Sequence, residues 1–246
     1  MAIKMIKHQA NEASELFKRE VEMLKTVRGP NVITFYGASV EQSNEMFHVT
    51  ELMDLGTLSD VLKKNTLSPQ IKLKIMKDVA VGMATVHSFN VIHRDLKPDN
   101  VLCKSPFDLS NAEMCKMTDF GTSRVAENVF AMTMTKGQGT PLYMAPEMLA
   151  GQKRYNKSVD VYSYGILCAV VWNDGALPYT EYNYSNHLEM QNAIIQGLRP
   201  KLMTDCPLEP LITRCWSGNA KERPPFDWIC EQSVRRLGSI VVIAPV

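Results

Sequence analysis

The sequence predicts an α+β fold in which a smaller strand-rich part, residues 1–53, precedes a larger and mainly helical part, residues 54–246. The first third of the chain contains three segments with strand patterns and a single helix, whereas the later patterns are mainly helical. A chain of 246 residues with 45% hydrophobic and 22% charged residues can also bury the core of one large domain or of two closely packed lobes.

The strand-rich part is predicted to hold three strands and one helix. Alternating residues at 2–6 predict the first strand. Helical spacing of apolar residues predicts a helix over residues 11–27, which Gly29-Pro30-Asn31 ends. Apolar runs at residues 32–36 and 46–53 predict two further strands.

The helical part begins with a strong start signal. Ser68 is a good N-cap and Pro69 suits the first helical position, so we expect a long core helix that ends near His87. A loop-rich segment follows, over residues 91–147. The apolar run at residues 161–172 is too short to span a bilayer and predicts a buried core helix.

One helix carries a charge where an apolar residue is expected. Glu20 lies on the apolar face of the predicted helix, near Phe17 and Leu24, and an ionised carboxylate there is costly unless it is paired. Lys4 is likewise flanked by apolar residues in its strand. A Lys4–Glu20 ion pair would satisfy both, but each side chain could instead extend to solvent, and the residues alone leave both readings open.

The composition excludes several function classes. A net charge of +1 without a basic, aromatic-rich stripe argues against a nucleic-acid partner. The six cysteines form no Cys-x-x-Cys pair, which favours reduced, buried thiols. The first residues lack a signal peptide and no membrane-spanning segment is predicted, so we expect a cytoplasmic protein.

The most specific motif is His93-Arg94-Asp95-Leu96-Lys97-Pro98-Asp99-Asn100, which precedes a short apolar strand at residues 101–103. A polar turn that contains these residue types by chance is the alternative. The segment resembles the catalytic loop of protein kinases at five fixed positions. The resemblance covers nearly the whole chain and implies one bilobal kinase-like domain, with residues 1–53 as a truncated small lobe and residues 54–246 as the large lobe.

The resemblance also implies roles for single residues. Asp95 would accept the proton of the substrate hydroxyl, Lys97 would place a cation against the transferring phosphoryl group, and Asn100 would bind Mg²⁺. Asp119 would be the second Mg²⁺ ligand, because Asp119-Phe120-Gly121 follows a predicted strand at residues 114–117. By itself that tripeptide is usually an ordinary turn.

An ATP site is implied by the same resemblance. Ala2-Ile3-Lys4 resembles the end of the strand whose lysine binds the ATP phosphates, with Glu20 as its helix partner. Residues 49–53 resemble the hinge that binds adenine through its main chain, with Thr50 as a small gatekeeper. The residues implied around ATP are Ala2, Lys4, Glu20, Thr50, Glu51, Met53, Leu102 and Asp119.

Two further resemblances are structural. Met144-Ala145-Pro146-Glu147 is similar to the end of a kinase activation segment, which implies an ion pair between Glu147 and Arg223. Asp160 matches the buried aspartate that braces the main chain of the catalytic loop.

The implied substrate is a serine or threonine of a protein. Lys97 and Thr140 resemble the serine/threonine form, whereas residues 51–58 and 214–216 resemble tyrosine kinases. This combination is typical of the tyrosine-kinase-like group of serine/threonine kinases, to which the resemblance assigns the chain.

Regulation by phosphorylation is also expected. Arg94 before Asp95 is typical of kinases whose activation segment is ordered by a phosphate, added by an upstream kinase or by autophosphorylation. Ser123, Thr133 and Thr135 are the candidates, and we favour Thr133 or Thr135. Exposed hydroxyls without a role are the alternative.

No Gly-rich loop precedes Lys4 in this sequence, so we expect a fragment whose ATP cleft lacks its usual cover. A catalytically weak or silent kinase-fold module that binds partners is therefore the alternative function. A small-molecule kinase is disfavoured by the long segment at residues 119–147 and by Thr140.

Overall fold

The structure is a computed structural model, and it confirms the predicted α+β class, with a small sheet lobe and a helical lobe. It describes residues 1–6, 11–41, 45–121, 123–125, 141–152, 154–203 and 205–241.

The small lobe contains one antiparallel sheet and one helix. Its elements are β1 (Ala2–Ile6), α1 (Asn11–Thr26), β2 (Phe35–Val40) and β3 (Met46–Thr50). The strand order is β1-β3-β2, so β3 is central. The register sets Ala2 opposite Thr50 and Lys4 opposite His48.

The apolar face of α1 packs on this sheet. Phe17 and Val21 form a small buried cluster with Met46, and Phe35 packs against it. Because Glu20 lies between Phe17 and Val21 in the helix, the same packing turns its carboxylate toward the sheet, where the structure buries it.

Two predicted strands are shifted. The strand predicted at residues 32–36 begins only at Phe35, because the preceding main chain pairs with the large lobe. The amide of Met117 donates to the carbonyl oxygen of Asn31 at 2.8 Å, and the amide of Ile33 donates to that of Met117 at 2.9 Å. The strand predicted at residues 46–53 ends at Thr50, where the connection to the large lobe begins.

The large lobe is mainly helical. Its helices are α2 (Leu58–Lys64), α3 (Pro69–Ser88), α4 (Pro146–Leu149), α5 (Ser158–Trp172), α6 (His187–Ile195), α7 (Glu209–Cys215) and α8 (Phe226–Val241). Its short strands are β4 (Gly56–Thr57), β5 (Val91–Ile92), β6 (Val101–Cys103), β7 (Cys115–Met117) and β8 (Arg124–Val125), arranged as a β4-β6-β7 sheet and a β5-β8 pair. The predicted long helix is confirmed as α3, with Ser68 as its N-cap.

The core of this lobe is built around α5. The helix is buried on almost every side and packs against α3 and α7, while α3 also packs against α8. A helix that is apolar all round belongs in such a core. Among the described residues, no helix combines the length and the apolar character needed to cross a membrane.

Candidate active site

Asp160 positions the predicted catalytic loop from beneath. Its two carboxylate oxygens accept the main-chain amides of His93 at 2.9 Å and Arg94 at 2.8 Å, and Nε2 of His87 lies 2.8 Å from Oδ2. These bonds hold Arg94 in a left-handed conformation with φ of 69°, which is costly for a residue with a side chain. Burial acts to raise the pKa of Asp160, but the contacts with His87 and the loop amides outweigh it and lower that pKa.

The three predicted catalytic residues lie together. Oδ2 of Asp95 accepts hydrogen bonds from Nζ of Lys97 at 2.8 Å and from Nδ2 of Asn100 at 3.0 Å. Nδ2 of Asn100 also donates to the main-chain oxygen of Asp95 at 2.7 Å. Within the part of the chain that the structure describes, no donor contacts Oδ1 of Asp95, so this oxygen remains able to accept a proton.

Asp119 lies in a turn that is tied to the catalytic loop. Nε2 of His93 lies 3.0 Å from the main-chain oxygen of Thr118, and the ring of His93 packs against that of Phe120 with 5.5 Å between centroids. Asp119 has φ of 60°, and its Oδ1 accepts the amide of Gly121 at 3.3 Å. His93 therefore fixes the two loops that carry the predicted metal ligands.

Lys4 and Glu20 form an ion pair. Of the two interpretations of the sequence, the structure therefore favours pairing over extension of each side chain to solvent. Nζ of Lys4 lies 2.8 Å from Oε1 of Glu20, whose side chain is 7% exposed against 49% for that of Lys4. A Cβ atom built on Gly121 would lie 4.0 Å from Oε2 of Glu20. The pair therefore adjoins the turn that carries Asp119.

His48 is a buried neighbour of this pair that sequence reasoning missed. It lies opposite Lys4 in the sheet, and its Nδ1 has no hydrogen-bond partner within the described residues. Burial lowers the pKa of His48, and the charge of Lys4 adds to that shift, while Glu20 and Asp119 oppose it. A histidine within an apolar strand was the signal that could have identified it.

The residues implied around adenine lie in β1, at the end of β3, in the connection between the lobes and in β6. Ala2 pairs with Thr50, and the main-chain oxygen of Met53 accepts the amide of Gly56 at 3.2 Å. Leu102 in β6 lies opposite Thr57 in β4. The amide of Leu55 donates to the main-chain oxygen of Cys103 at 3.1 Å, which fixes this connection to the strand that carries Leu102.

The predicted pair between Glu147 and Arg223 is present and bidentate. NH1 of Arg223 lies 2.6 Å from Oε1 of Glu147 and NH2 lies 2.8 Å from Oε2. Nε of Arg223 also donates to the main-chain oxygen of Ser217 at 2.8 Å. The pair anchors the first turn of α4 to the segment that precedes α8.

The donors present fit magnesium bound together with a phosphate. Among the residues the structure describes, no group of three or more His, Cys, Asp or Glu side chains could hold a metal alone. Because the amide nitrogen of Asn100 is used by Asp95, its side-chain oxygen remains as a ligand. The amide of Thr118, the residue before Asp119, donates to the main-chain oxygen of Asn100 at 3.1 Å, which ties the two candidate ligands to each other through the main chain. Mg²⁺ prefers such sites, with one or two protein oxygens completed by water and substrate phosphates.

The phosphorylation candidates divide into two groups. Ser123 is 2% exposed, and its Oγ lies 3.5 Å from the main-chain oxygen of His93, so a kinase cannot reach it in this structure. The other two candidates, Thr133 and Thr135, lie outside the described residues, and so does Thr140, the residue that resembles the serine/threonine form.

The family model for protein tyrosine and serine/threonine kinases matches residues 1–232 of the chain. A probable LIM domain-containing serine/threonine-protein kinase of Dictyostelium discoideum is 38% identical over 223 residues, which are 88% of this chain and 32% of that protein. A serine/threonine-protein kinase of Arabidopsis thaliana is 36% identical over 250 residues, which cover 97% of this chain and 41% of that protein. A dual-specificity protein kinase of Dictyostelium discoideum is 33% identical over 230 residues, which cover 92% and 16%.

The chain thus spans less than half the length of these three relatives. Its family match extends over most of the sequence, including both the Lys4–Glu20 pair and the catalytic loop. The chain therefore belongs to the protein tyrosine and serine/threonine kinase family.

Proposed function

We propose that the chain is a protein serine/threonine kinase that transfers the γ-phosphoryl group of ATP to a protein hydroxyl. The observation that carries this proposal is the arrangement around Asp95, where two donors hold Oδ2 and leave Oδ1 able to accept a proton. General-base catalysis needs a carboxylate held in this way.

Asp95 would orient the acceptor hydroxyl and take its proton at Oδ1 as the new P–O bond forms. The bond between the γ-phosphorus and the β–γ bridging oxygen of ATP breaks in the same step, and ADP is the leaving group. Lys97, whose Nζ lies 2.8 Å from Oδ2 of Asp95, would offer its cation to the transferring phosphoryl group. Asn100 holds the main chain of Asp95 at 2.7 Å, so the base stays in one position during the reaction.

Lys4 would bind the ATP phosphates while Glu20 fixes its Nζ atom. Asn100 and Asp119 would provide oxygen ligands to Mg²⁺. When bound, the metal neutralises charge on the phosphates. Ala2, Thr50, Glu51, Met53 and Leu102 would enclose the adenine, with the hinge main chain making the polar contacts.

Serine or threonine specificity is supported by Lys97 and by the names of two relatives, both serine/threonine-protein kinases, whereas the third is named a dual-specificity kinase. The proposal includes regulation by phosphorylation at Thr133 or Thr135, carried out by an upstream kinase or by autophosphorylation. It also includes a cytoplasmic location.

The test is Mg²⁺-dependent transfer of phosphate from ATP to matched peptides that contain serine, threonine or tyrosine as the single acceptor. We expect transfer to the first two and a loss of at least about 100-fold in kcat for Asp95→Asn, which cannot act as a base. Equal rates for the two proteins would refute the assignment of Asp95. Transfer to tyrosine alone would refute the substrate class.

Binding of nucleotide without transfer would favour the alternative, a kinase-fold module that works by binding partners. Thermal stabilisation by Mg²⁺-ATP tests whether the nucleotide site is competent, because any such site must stabilise the fold by mass action. Stabilisation without transfer therefore identifies the binding module, and stabilisation with transfer identifies the kinase.

A further inference from the structure

Lys116 is a buried cation that none of the sequence motifs includes. It lies in β7 between Cys115 and Met117, two fully buried residues, and its own side chain is 6% exposed. An ammonium group in such a position is costly unless it is paired.

Two carboxylates pair with it. Nζ of Lys116 lies 2.8 Å from Oε1 of Glu51 and 3.0 Å from Oε2 of Glu113. Burial acts to lower the pKa of Lys116, but the hydrogen bonds and charges of these partners outweigh burial and raise it. Lys116 is therefore a permanent cation that joins two chain segments.

Glu51 belongs to the hinge, and Oε1 of its side chain is held by several donors. Besides Lys116, Oε1 accepts the amide of Thr34 at 2.8 Å and the hydroxyl of Thr34 at 2.7 Å, while the amide of Glu51 donates to the main-chain oxygen of Thr34 at 2.9 Å. Burial acts to raise the pKa of Glu51, but these donors outweigh it and lower that pKa. The main-chain oxygen of Glu51 accepts the hydroxyl of Thr50 at 3.3 Å, and its Oε2 lies 3.9 Å from Nζ of Lys104.

Glu113 extends the network to the segment after α1. Its Oε1 accepts the amide of Asn31 at 3.1 Å, and the carbonyl oxygen of Asn31 accepts the amide of Met117 at 2.8 Å. Lys116 thus connects β7, which leads to Asp119, with the hinge and with the end of α1.

The same cation lies beside the implied adenine site. Lys116 is directly opposite Leu102 in the β6–β7 pairing, and opposed residues in such a pair project from the same face of the sheet. The side chain that anchors Glu51 and the side chain implied beneath adenine therefore lie next to each other.

We propose that Lys116 is a positioning residue for the nucleotide. Through its ion pair with Glu51, it holds the main chain of the hinge at a fixed distance from Leu102. This inference rests on the proposed function. The lysine does not contact the reacting atoms, so its loss weakens ATP binding and leaves the chemical step nearly unchanged.

The experiment compares kcat and KM for ATP in Lys116→Met, Lys116→Arg and the wild type, with the same peptide substrate. We expect KM for ATP to rise about tenfold in Lys116→Met while kcat stays within about twofold, and Lys116→Arg to recover most of the affinity because it keeps the charge. Thr34→Val, which removes only the hydroxyl donor to Glu51, should raise KM about two- to threefold.

Lys72→Met is the matched control. Lys72 is similarly buried and paired, with Nζ 2.7 Å from Oδ1 of Asp174, but it joins α3 to the end of α5. We expect its KM for ATP to equal that of the wild type despite a lower melting temperature. A KM that is unchanged in Lys116→Met, or raised equally in Lys72→Met, would overturn the proposal.

The role of Lys116 and the kinase function can fail independently in these experiments. If the wild type transfers no phosphate, the kinase assignment fails, and the Kd of ATP measured by titration still tests Lys116. If Lys116→Met does not fold, Thr34→Val and Lys116→Arg provide the comparison, and wild-type ATP affinity in Thr34→Val would then overturn the role of the network.

Discussion

Nζ of Lys4 lies 2.8 Å from Oε1 of Glu20, and this contact joins the first strand of the small lobe to its helix. The two residues differ in exposure, since Glu20 is buried and Lys4 is half exposed. The ammonium group of Lys4 can therefore contact a ligand while the carboxylate of Glu20 remains bound to it.

We expect Lys4→Met to abolish the thermal stabilisation that Mg²⁺-ATP gives the wild type, because the phosphates lose their cation. Lys18→Met is the control, since Lys18 forms an exposed pair with Glu15 on the same helix. Differential scanning fluorimetry with and without nucleotide measures the shift. An unchanged shift in Lys4→Met would contradict the role of Lys4.

We expect Asp160→Ala to lower kcat more than it lowers ATP affinity, because the amides of His93 and Arg94 lose their acceptors and Arg94 is released from its left-handed conformation. The lost charge-assisted bonds are worth about 1.5–3 kcal/mol each. Steady-state kinetics and urea denaturation measure the two effects. A lower free energy of unfolding together with a wild-type kcat would count against a role of Asp160 in positioning the catalytic loop.

We expect Glu147→Ala to destabilise the protein by about 3–5 kcal/mol, because it leaves the fully buried guanidinium of Arg223 without its anion. The double variant Glu147→Ala/Arg223→Met should be less destabilised, since it removes the stranded charge. Urea denaturation of Glu147→Ala, of Arg223→Met and of the double variant, with Glu15→Ala as an exposed control, provides the measurement. A double variant as unstable as the sum of its single changes would show that the pair acts through packing alone.

His48 should make stability depend on pH. Its pKa is lowered in the folded state, chiefly by burial, so the unfolded chain binds more protons once the pH falls below about 6.5. We expect the free energy of unfolding of the wild type to fall from pH 7.5 to pH 5.5 more steeply than that of His48→Leu. His187→Gln, an exposed histidine on α6, is the control, and equal slopes for the wild type and His48→Leu would disprove the prediction.

Gly82 should tolerate no side chain. A Cβ atom there would lie 2.5 Å from the main-chain oxygen of Asn31 and 2.7 Å from Cγ of Met117, so Gly82→Ala should cost about 1–3 kcal/mol by overpacking. Gly37→Ala is the control, because no atom lies within 4 Å of the added methyl group. Urea denaturation distinguishes them, and equal stabilities would be inconsistent with the close approach of α3 to Asn31.

Resemblance to kinase motifs of fixed local sequence identified most of the candidate site residues. The loop around Asp95, the brace at Asp160 and the partner of Arg223 all follow from such patterns, and the structure brings each set together as expected. The predicted α3 also required only local information, an N-cap and an apolar stripe.

The residues that sequence reasoning missed depend on contacts between distant segments. The strand predicted at residues 32–36 begins only at Phe35, because Met117 hydrogen-bonds to the main chain of Asn31 and Ile33. Lys116 was visible as a charge in an apolar strand, but its partner Glu51 is distant along the chain and only the folded lobes bring the two together. The position of His48 next to Lys4 could not be predicted, because it depends on the register between β1 and β3.

The pairing of residues 31–33 with β7 fixes the chain just after the C-terminal end of α1, so the helix can rotate only about that end. The hydroxyl of Thr85 donates to the main-chain oxygen of Pro30 at 3.1 Å, which adds a second attachment beyond the C-terminal end of the helix. Glu20 lies roughly 10 Å along the axis from that end, at 1.5 Å of rise per residue. A tilt of about 15° would then displace its carboxylate by about 3 Å, which is comparable to its separation from Lys4. A modest rotation about this anchored end is therefore enough to break or restore the ion pair, without any movement of the catalytic loop.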